Sequence, residues 1–177
     1  EQVRALINAC FSWLVPIVEK YGGVVEKFIG DEIMAMFGAP AAHENDAERA
    51  LRAALEMMDA LQEFNKNHNT SLGMHFGINT GVVVAGGLGS AGRQQYGVMG
   101  DTVNVAARLE DVSETGQIVV GPNTHRLTAS LFKFDMLPPV RVKGKSEPIP
   151  IHRLVGLKSA PESARGIAGL RSPLVGR

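Results

Sequence analysis

Asn104 and Arg108 stand four residues apart in the run Gly100-Asp101-Thr102-Val103-Asn104-Val105-Ala106-Ala107-Arg108-Leu109. In a helix that spacing puts an amide and a guanidinium on one face, one turn apart. A planar cation beside an amide is suited to holding a phosphorylated sugar. The small apolar residues Val103, Val105, Ala106 and Ala107 are expected to bury the opposite side. Alone, the two residues would read as a surface cation and a helix-start amide. A second motif upstream, fitting the same chemistry, outweighs that plainer reading.

The second motif runs Gly23-Val24-Val25-Glu26-Lys27-Phe28-Ile29-Gly30-Asp31-Glu32-Ile33-Met34-Ala35-Met36-Phe37-Gly38. Val25, Lys27 and Ile29 alternate with Val24, Glu26 and Phe28, which predicts a strand, and Ile33 to Phe37 predicts a second. Gly30-Asp31 is a tight-turn dipeptide, so Asp31 reads first as a turn residue. A carboxylate on a turn is also where a hard divalent cation can be held with coordination positions open to substrate oxygens.

The elements that must position these residues follow from periodicity and breakers. Residues 2 to about 20 read as a helix, with Pro16 late in it, and Gly22-Gly23 ends it. Ala39-Pro40 breaks the chain, and a long helix is expected from about Glu44 to Asn65. Its stripe of Ala47, Leu51, Ala54, Met58 and Leu61 is a core face. Strands are expected at 72–79 and 82–88, turning at Asn79-Thr80-Gly81, and near 94–98. After the helix carrying Asn104 and Arg108 come a strand at Ile118-Val119-Val120, a short helix from Pro122 to Ala129, and strands near 131–136, 139–143 and 149–155. Gly86 to Gly92 joins strand to strand without the Gly-Lys-Ser/Thr of a phosphate loop, so it reads as a hairpin loop. Asp101 reads as a cap of the Asn104 helix. The whole is an α+β sandwich with helices packed on a sheet.

Composition narrows the function. The 177 residues make one domain with room for a core. Eighteen basic and eighteen acidic residues cancel, giving no electrostatic case for nucleic acid or a membrane surface. The lone Cys10 excludes an internal disulfide, and a cytoplasmic location is expected. Nowhere is there an apolar run of about 18 residues. The five histidines are dispersed without ligand spacing, which argues against zinc. The chain opens on Glu1 rather than Met, which reads as a piece of a longer protein.

Together the two motifs resemble the class III nucleotidyl cyclases, the adenylate and guanylate cyclase catalytic domain, over residues 1–155. The resemblance extends to Phe76-Gly77-Ile78-Asn79-Thr80-Gly81-Val82-Val83-Val84-Ala85-Gly86, to Val142-Lys143-Gly144-Lys145, and to Pro148-Ile149-Pro150-Ile151-His152-Arg153-Leu154. It implies a ferredoxin-like (βαββαβ) core with additional C-terminal strands. The implied reaction is attack of the ribose 3′-hydroxyl of a nucleoside triphosphate on its own α-phosphate, expelling pyrophosphate, with two divalent cations per site, Mg²⁺ or Mn²⁺. By resemblance Asn104 orients the ribose, Arg108 meets charge developing on the α-phosphate, Lys143 binds the polyphosphate, and Asp31 is a metal ligand. Lys145 reads as a solvated loop lysine. The run Ile29-Gly30-Asp31-Glu32-Ile33 departs from the Gly-Gly-Asp/Glu-Glu-Phe signature of diguanylate cyclases.

Lys27 resembles the family's purine-reading lysine. Adenine offers N1 as an acceptor to an ammonium, whereas guanine presents N1–H there, so Lys27 favours ATP. The usual partner for the adenine amine falls at Gly97, which has no side chain, and weaker discrimination against GTP is expected. The resemblance further implies a homodimer with two equivalent sites at its interface. It also implies a second metal aspartate on an opening strand that residues 1–177 lack, so this segment alone is expected to turn over little or nothing. Residues 156–177 read as a linker. The closing Ser172-Pro173-Leu174-Val175-Gly176-Arg177 resembles the start of the P-loop ATPase modules that follow some bacterial cyclase domains. Two alternatives stay open: a catalytically inert dimerisation or regulatory module of the same fold, and a guanylate cyclase.

Overall fold

The computed structural model describes residues 2–88 and 95–159. Four helices and eight strands follow in the order α1 (Gln2–Lys20), β1 (Val24–Ile29), β2 (Glu32–Met36), α2 (Asp46–His68), β3 (Phe76–Ile78), β4 (Val84–Leu88), β5 (Gln95–Met99), α3 (Asp101–Val112), β6 (Ile118–Val120), α4 (Pro122–Thr128), β7 (Phe132–Val140) and β8 (Ile149–Leu157). The α+β class expected from the sequence is what the chain adopts.

The centre is a four-stranded sheet of order β3-β6-β8-β7. Alternation along its strands divides the helices between two faces. Ile118 and Val120 of β6 and Leu154 of β8 pack with Leu51 and Ala54 of α2. Val119 and Ile151, one pleat away, pack instead with Val105 and Leu109 of α3. The sheet therefore lies between α2 and α3. Gly77 in β3 also faces α3, and a Cβ there would run into the backbone nitrogen of Glu110 and the carbonyl of Ala106.

A second core joins α1 to α2, with Cys10, Leu14, Ile17 and Val18 against Met57, Leu61 and Phe64. α1 closes in a Schellman arrangement: Gly23 N–H donates to Val18 O at 2.9 Å and Gly22 N–H to Glu19 O at 2.8 Å, with Gly22 at φ +75°. That stop delivers the chain into the β1–β2 hairpin. The hairpin packs Val25, Ile33, Ala35 and Phe37 on the same core.

Three expectations are revised. The alternation read through residues 24–29 is broken by a bulge, since Val25 faces Ala35 but Lys27 faces Met34. The strands expected at 131–136 and 139–143 are one strand, β7, whose register slips between Leu137 and Val140. Pro138 and Pro139 sit at the slip, where a missing N–H does least harm. The turn at Asn79-Thr80-Gly81 does not pair its flanking strands. β3 runs parallel to β6, and β4 pairs antiparallel with β5. The hairpin loop read at Gly86–Gly92 lies in part outside the described residues, as do the closing six residues and the linker from residue 160 on.

Candidate functional site

α3 begins at Asp101, after Gly100, whose φ of +145° suits glycine alone. Two side chains fix the approach to the helix. Asn79 Nδ2 donates to Thr102 O at 3.0 Å, and Thr102 Oγ1 donates to Val82 O at 2.7 Å. Val105 and Leu109 are buried beneath the helix. Asn104, Ala107, Arg108 and Asp111 are exposed above it, so Ala107 does not bury the back of the helix as expected. The amide and the guanidinium do share one open face.

The turn after β7 comes up beside that face. Arg108 Nε donates to Arg141 O at 3.3 Å, and Arg108 Nη1 lies 3.7 Å from Asp111. Val142 is buried against α3, and Lys145 N–H closes the turn on Val142 O at 3.1 Å with Gly144 at φ +87°. This leaves Lys143 exposed at the tip. The cap position of α3 is Gly100, and Asp101 is its first helical residue. The Asp101 carboxylate pairs with Lys145, both side chains staying exposed, so Lys145 is the solvated loop lysine expected and also ties the turn to the helix. The pairing is not legible in the sequence, because nothing local links a helix-start acid to a distant loop cation.

Asp31 sits exposed on the β1–β2 turn, after Gly30 at φ +64°. Glycine with positive φ at the first central position matches the two-residue turns that join twisted strands. The turn lies near the second half of α3. Glu110 shows this: burial pushes its carboxyl up, His75 opposes the rise, and Glu32, Asp111 and Asp31 add to it as like charges. Lys27 is half exposed on β1, 3.7 Å from Glu26. Gly97 pairs with Gly86 in the β4–β5 ladder. The structure thus sets Asn104 and Arg108 on one exposed face, with the turn that carries Lys143 against Arg108, and it leaves Asp31 close enough to Glu110 of the same helix to add to the rise of that carboxyl. It leaves Lys27 and Gly97 on two separate hairpins.

A groove of about 490 Å³, lined by His125, Phe132, Lys133, Asp135 and Lys158 among others, contains none of these residues. Asn104, Arg108, Lys143, Asp31 and Lys27 are all exposed on the single chain.

Residues 1–155 match the family described as the adenylate and guanylate cyclase catalytic domain. The chain belongs to that family. It is 35% identical over 167 residues to adenylate cyclase 1 of Rhizobium meliloti (strain 1021), covering 90% of this chain. The cyclase domain spans only 25% of that relative's length. Among solved structures it resembles the guanylyl cyclase Cya2, with a TM-score of 0.84 and 33% identity over 92% of this chain and 84% of the other. It also resembles the adenylyl cyclase CyaB from P. aeruginosa, with a TM-score of 0.83 and 30% identity over 91% and 85% of the two chains.

The described residues of the cyclase domain fit a hard cation in part. Asp31 offers an oxygen ligand of the kind magnesium and manganese take. Among the described residues no three His, Cys, Asp or Glu side chains gather into a metal-holding group. Also among them, no helix is long and apolar enough to cross a membrane.

Proposed function

We propose that this domain is an adenylate cyclase, converting ATP to 3′,5′-cyclic AMP and pyrophosphate at sites shared between two copies. The observation that carries the reading is the open α3 face, where Asn104 and Arg108 stand beside the Lys143 turn. In the reaction the ribose 3′-oxygen bonds to the α-phosphorus, the bond from that phosphorus to the β-phosphate bridging oxygen breaks, and the hydroxyl proton leaves to solvent. Asn104 holds the ribose so that its hydroxyl lies in line. Arg108 meets the charge that builds on the α-phosphate, and Lys143 neutralises the polyphosphate. Divalent cations, Mg²⁺ or Mn²⁺, would lower the hydroxyl pKa and steady the leaving oxygens, with Asp31 as one ligand.

The site's openness supports the dimer. Arg108 and Lys143 face solvent, while Asp31 and Lys27 lie on other elements, so a second copy facing this surface can complete two equivalent sites. Lys27 supports ATP, since an ammonium donates to adenine N1. Gly97 favours a second reading, a guanylate cyclase or a cyclase with relaxed purine choice, because it offers the adenine amine no side chain.

The test is formation of cyclic nucleotide by the full-length protein from ATP and from GTP with Mn²⁺, beside its Arg108→Ala variant. Cyclic AMP in excess over cyclic GMP, falling in the variant, bears the reading out. Cyclic GMP in excess favours the guanylate cyclase. No product from either nucleotide with the dimer intact leaves a regulatory module of the same fold.

A further inference from the structure

The bulge in β1 does more than bend a strand. Val25, Ile33 and Ala35 pack toward α1 and α2. Strict alternation from Val25 would return Lys27 to that apolar side and send Glu26 the other way. The register slip places Lys27 opposite Met34 instead, on the face turned from the helices, and leaves Glu26 as the extra residue. A bulge of this kind sets two consecutive side chains on one side of a sheet. Here it sets an acid beside the base-reading lysine, with Glu26 Oε2 3.7 Å from Lys27 Nζ.

The two side chains differ in what they lack. Lys27 is 50% exposed and Glu26 only 9%. Among the described residues Glu26 Oε2 is fully buried with no hydrogen-bond partner, and 3.7 Å is too long for Lys27 to be one. A buried carboxylate oxygen without a donor is costly, so such an atom points to a donor that arrives with a ligand.

We infer that the Glu26 carboxylate accepts the 6-amino group of adenine while Lys27 donates to adenine N1, making Glu26 the residue that performs the task Gly97 leaves open. This rests on the adenylate cyclase reading above. Adenine shows a donor amine next to the acceptor N1 on one edge, and an acid beside an ammonium presents the complement. Guanine reverses that order, setting O6 against the carboxylate and N1–H against the ammonium, so a switch from ATP to GTP changes both contacts at once. A comparison that isolates Glu26 must therefore change the amine alone.

Purine riboside 5′-triphosphate, which is ATP without the 6-amino group, makes that comparison. In the full-length protein kcat/KM for ATP is expected to exceed that for the analogue by about tenfold or more, the span of a hydrogen bond to a charged group. In Glu26→Ala the two values converge to within about twofold, through loss on ATP alone, since the analogue never made the bond. Glu26→Gln retains an acceptor and keeps part of the preference. Equal loss on both substrates, or an unchanged ratio in Glu26→Ala, overturns the role and marks Glu26 as a structural residue. Calorimetric binding of 3′-deoxy-ATP, which lacks the attacking hydroxyl, separates this from failure of the wider reading. Binding that Glu26→Ala leaves untouched sinks Glu26 alone, whereas no binding by the unmutated protein sinks the ATP reading and Glu26 with it.

Discussion

Arg108 Nε donates to the backbone carbonyl of Arg141 at 3.3 Å, joining the exposed face of α3 to the turn that carries Lys143. The guanidinium also sets Nη1 3.7 Å from Asp111, with the side chain 46% exposed. It is an oriented cation, held by its own scaffold.

Removing that cation separates stability from catalysis. The Arg108 side chain is 46% exposed, so Arg108→Ala should move urea unfolding by no more than about 0.5 kcal/mol. Turnover should fall by about 10²–10³, as for loss of one preorganised donor at developing charge. Arg108→Lys should not restore it, because an ammonium cannot span the Arg141 carbonyl and a phosphate as the planar fork does. Equilibrium unfolding and initial rates on the same preparations check both halves.

Gly77 controls the seat of that helix. A methyl group there would overlap the backbone at Glu110 and Ala106, and backbone cannot rotate away as a side-chain tip can. Gly77→Ala should destabilise the domain by about 1–3 kcal/mol, the range for overpacking a filled core. The strain falls on α3, so Asn104 and Arg108 should shift together. Catalytic loss larger than the unfolded fraction explains is the expected signature, read from kcat on protein shown to be folded by near-UV circular dichroism.

Elements were legible in the sequence where local pattern alone decides them. The four helices, the β1–β2 hairpin and the shared face of Asn104 and Arg108 follow from periods of 3.6 and 2 with glycine stops. Pairing was not legible, because it depends on residues far apart. β3 chooses β6 over the adjacent β4, and Asp101 finds Lys145, through packing that no short window contains. The bulge at Glu26 belongs to the same class: Val-Val-Glu-Lys alternates acceptably on paper, and only the docking of Val25 and Phe28 toward α1 forces the slip. Site residues read by resemblance all lie on described elements, yet one chain does not gather them in one place.

His152 offers a pH test of the other sheet face. It stacks on His125 with ring centroids 3.6 Å apart, and Phe134 meets it edge-on. Its Nδ1 is buried without a hydrogen-bond partner among the described residues. Burial first, and the neighbouring His125 second, lower its pKa from the ordinary 6.5. A pKa depressed in the folded state means that the fold prefers the neutral ring. That contribution to stability is complete above about pH 6.5 and is lost as pH falls through the lower folded value. Tm should therefore decline between pH 7 and 5 more steeply in the unmutated protein than in His152→Phe, which keeps an aromatic ring in the stack but cannot titrate. Scanning calorimetry across that range checks the sign, and a decline equally steep in the variant would assign the titration elsewhere.

Under the adenylate cyclase reading, Gly97 bears on purine choice. It lies opposite Gly86 in the β4–β5 ladder, a pairing of two residues without side chains in the middle of a hairpin. If the adenine amine is to be read from this hairpin, an acceptor must be added. Gly97→Asp supplies one, and should raise the ratio of kcat/KM for ATP over GTP, because an acceptor there gains a bond from adenine's amine and opposes guanine's O6. The gain should be smaller where Glu26 already takes the amine, since one amine cannot satisfy two acids as well as one. A larger gain in Gly97→Asp/Glu26→Ala than in Gly97→Asp alone is the expected non-additivity. Competition between the two nucleotides, with cyclic AMP and cyclic GMP measured in one reaction, reads the ratio directly. Equal gains in both backgrounds would mean that the two positions act on different parts of the nucleotide.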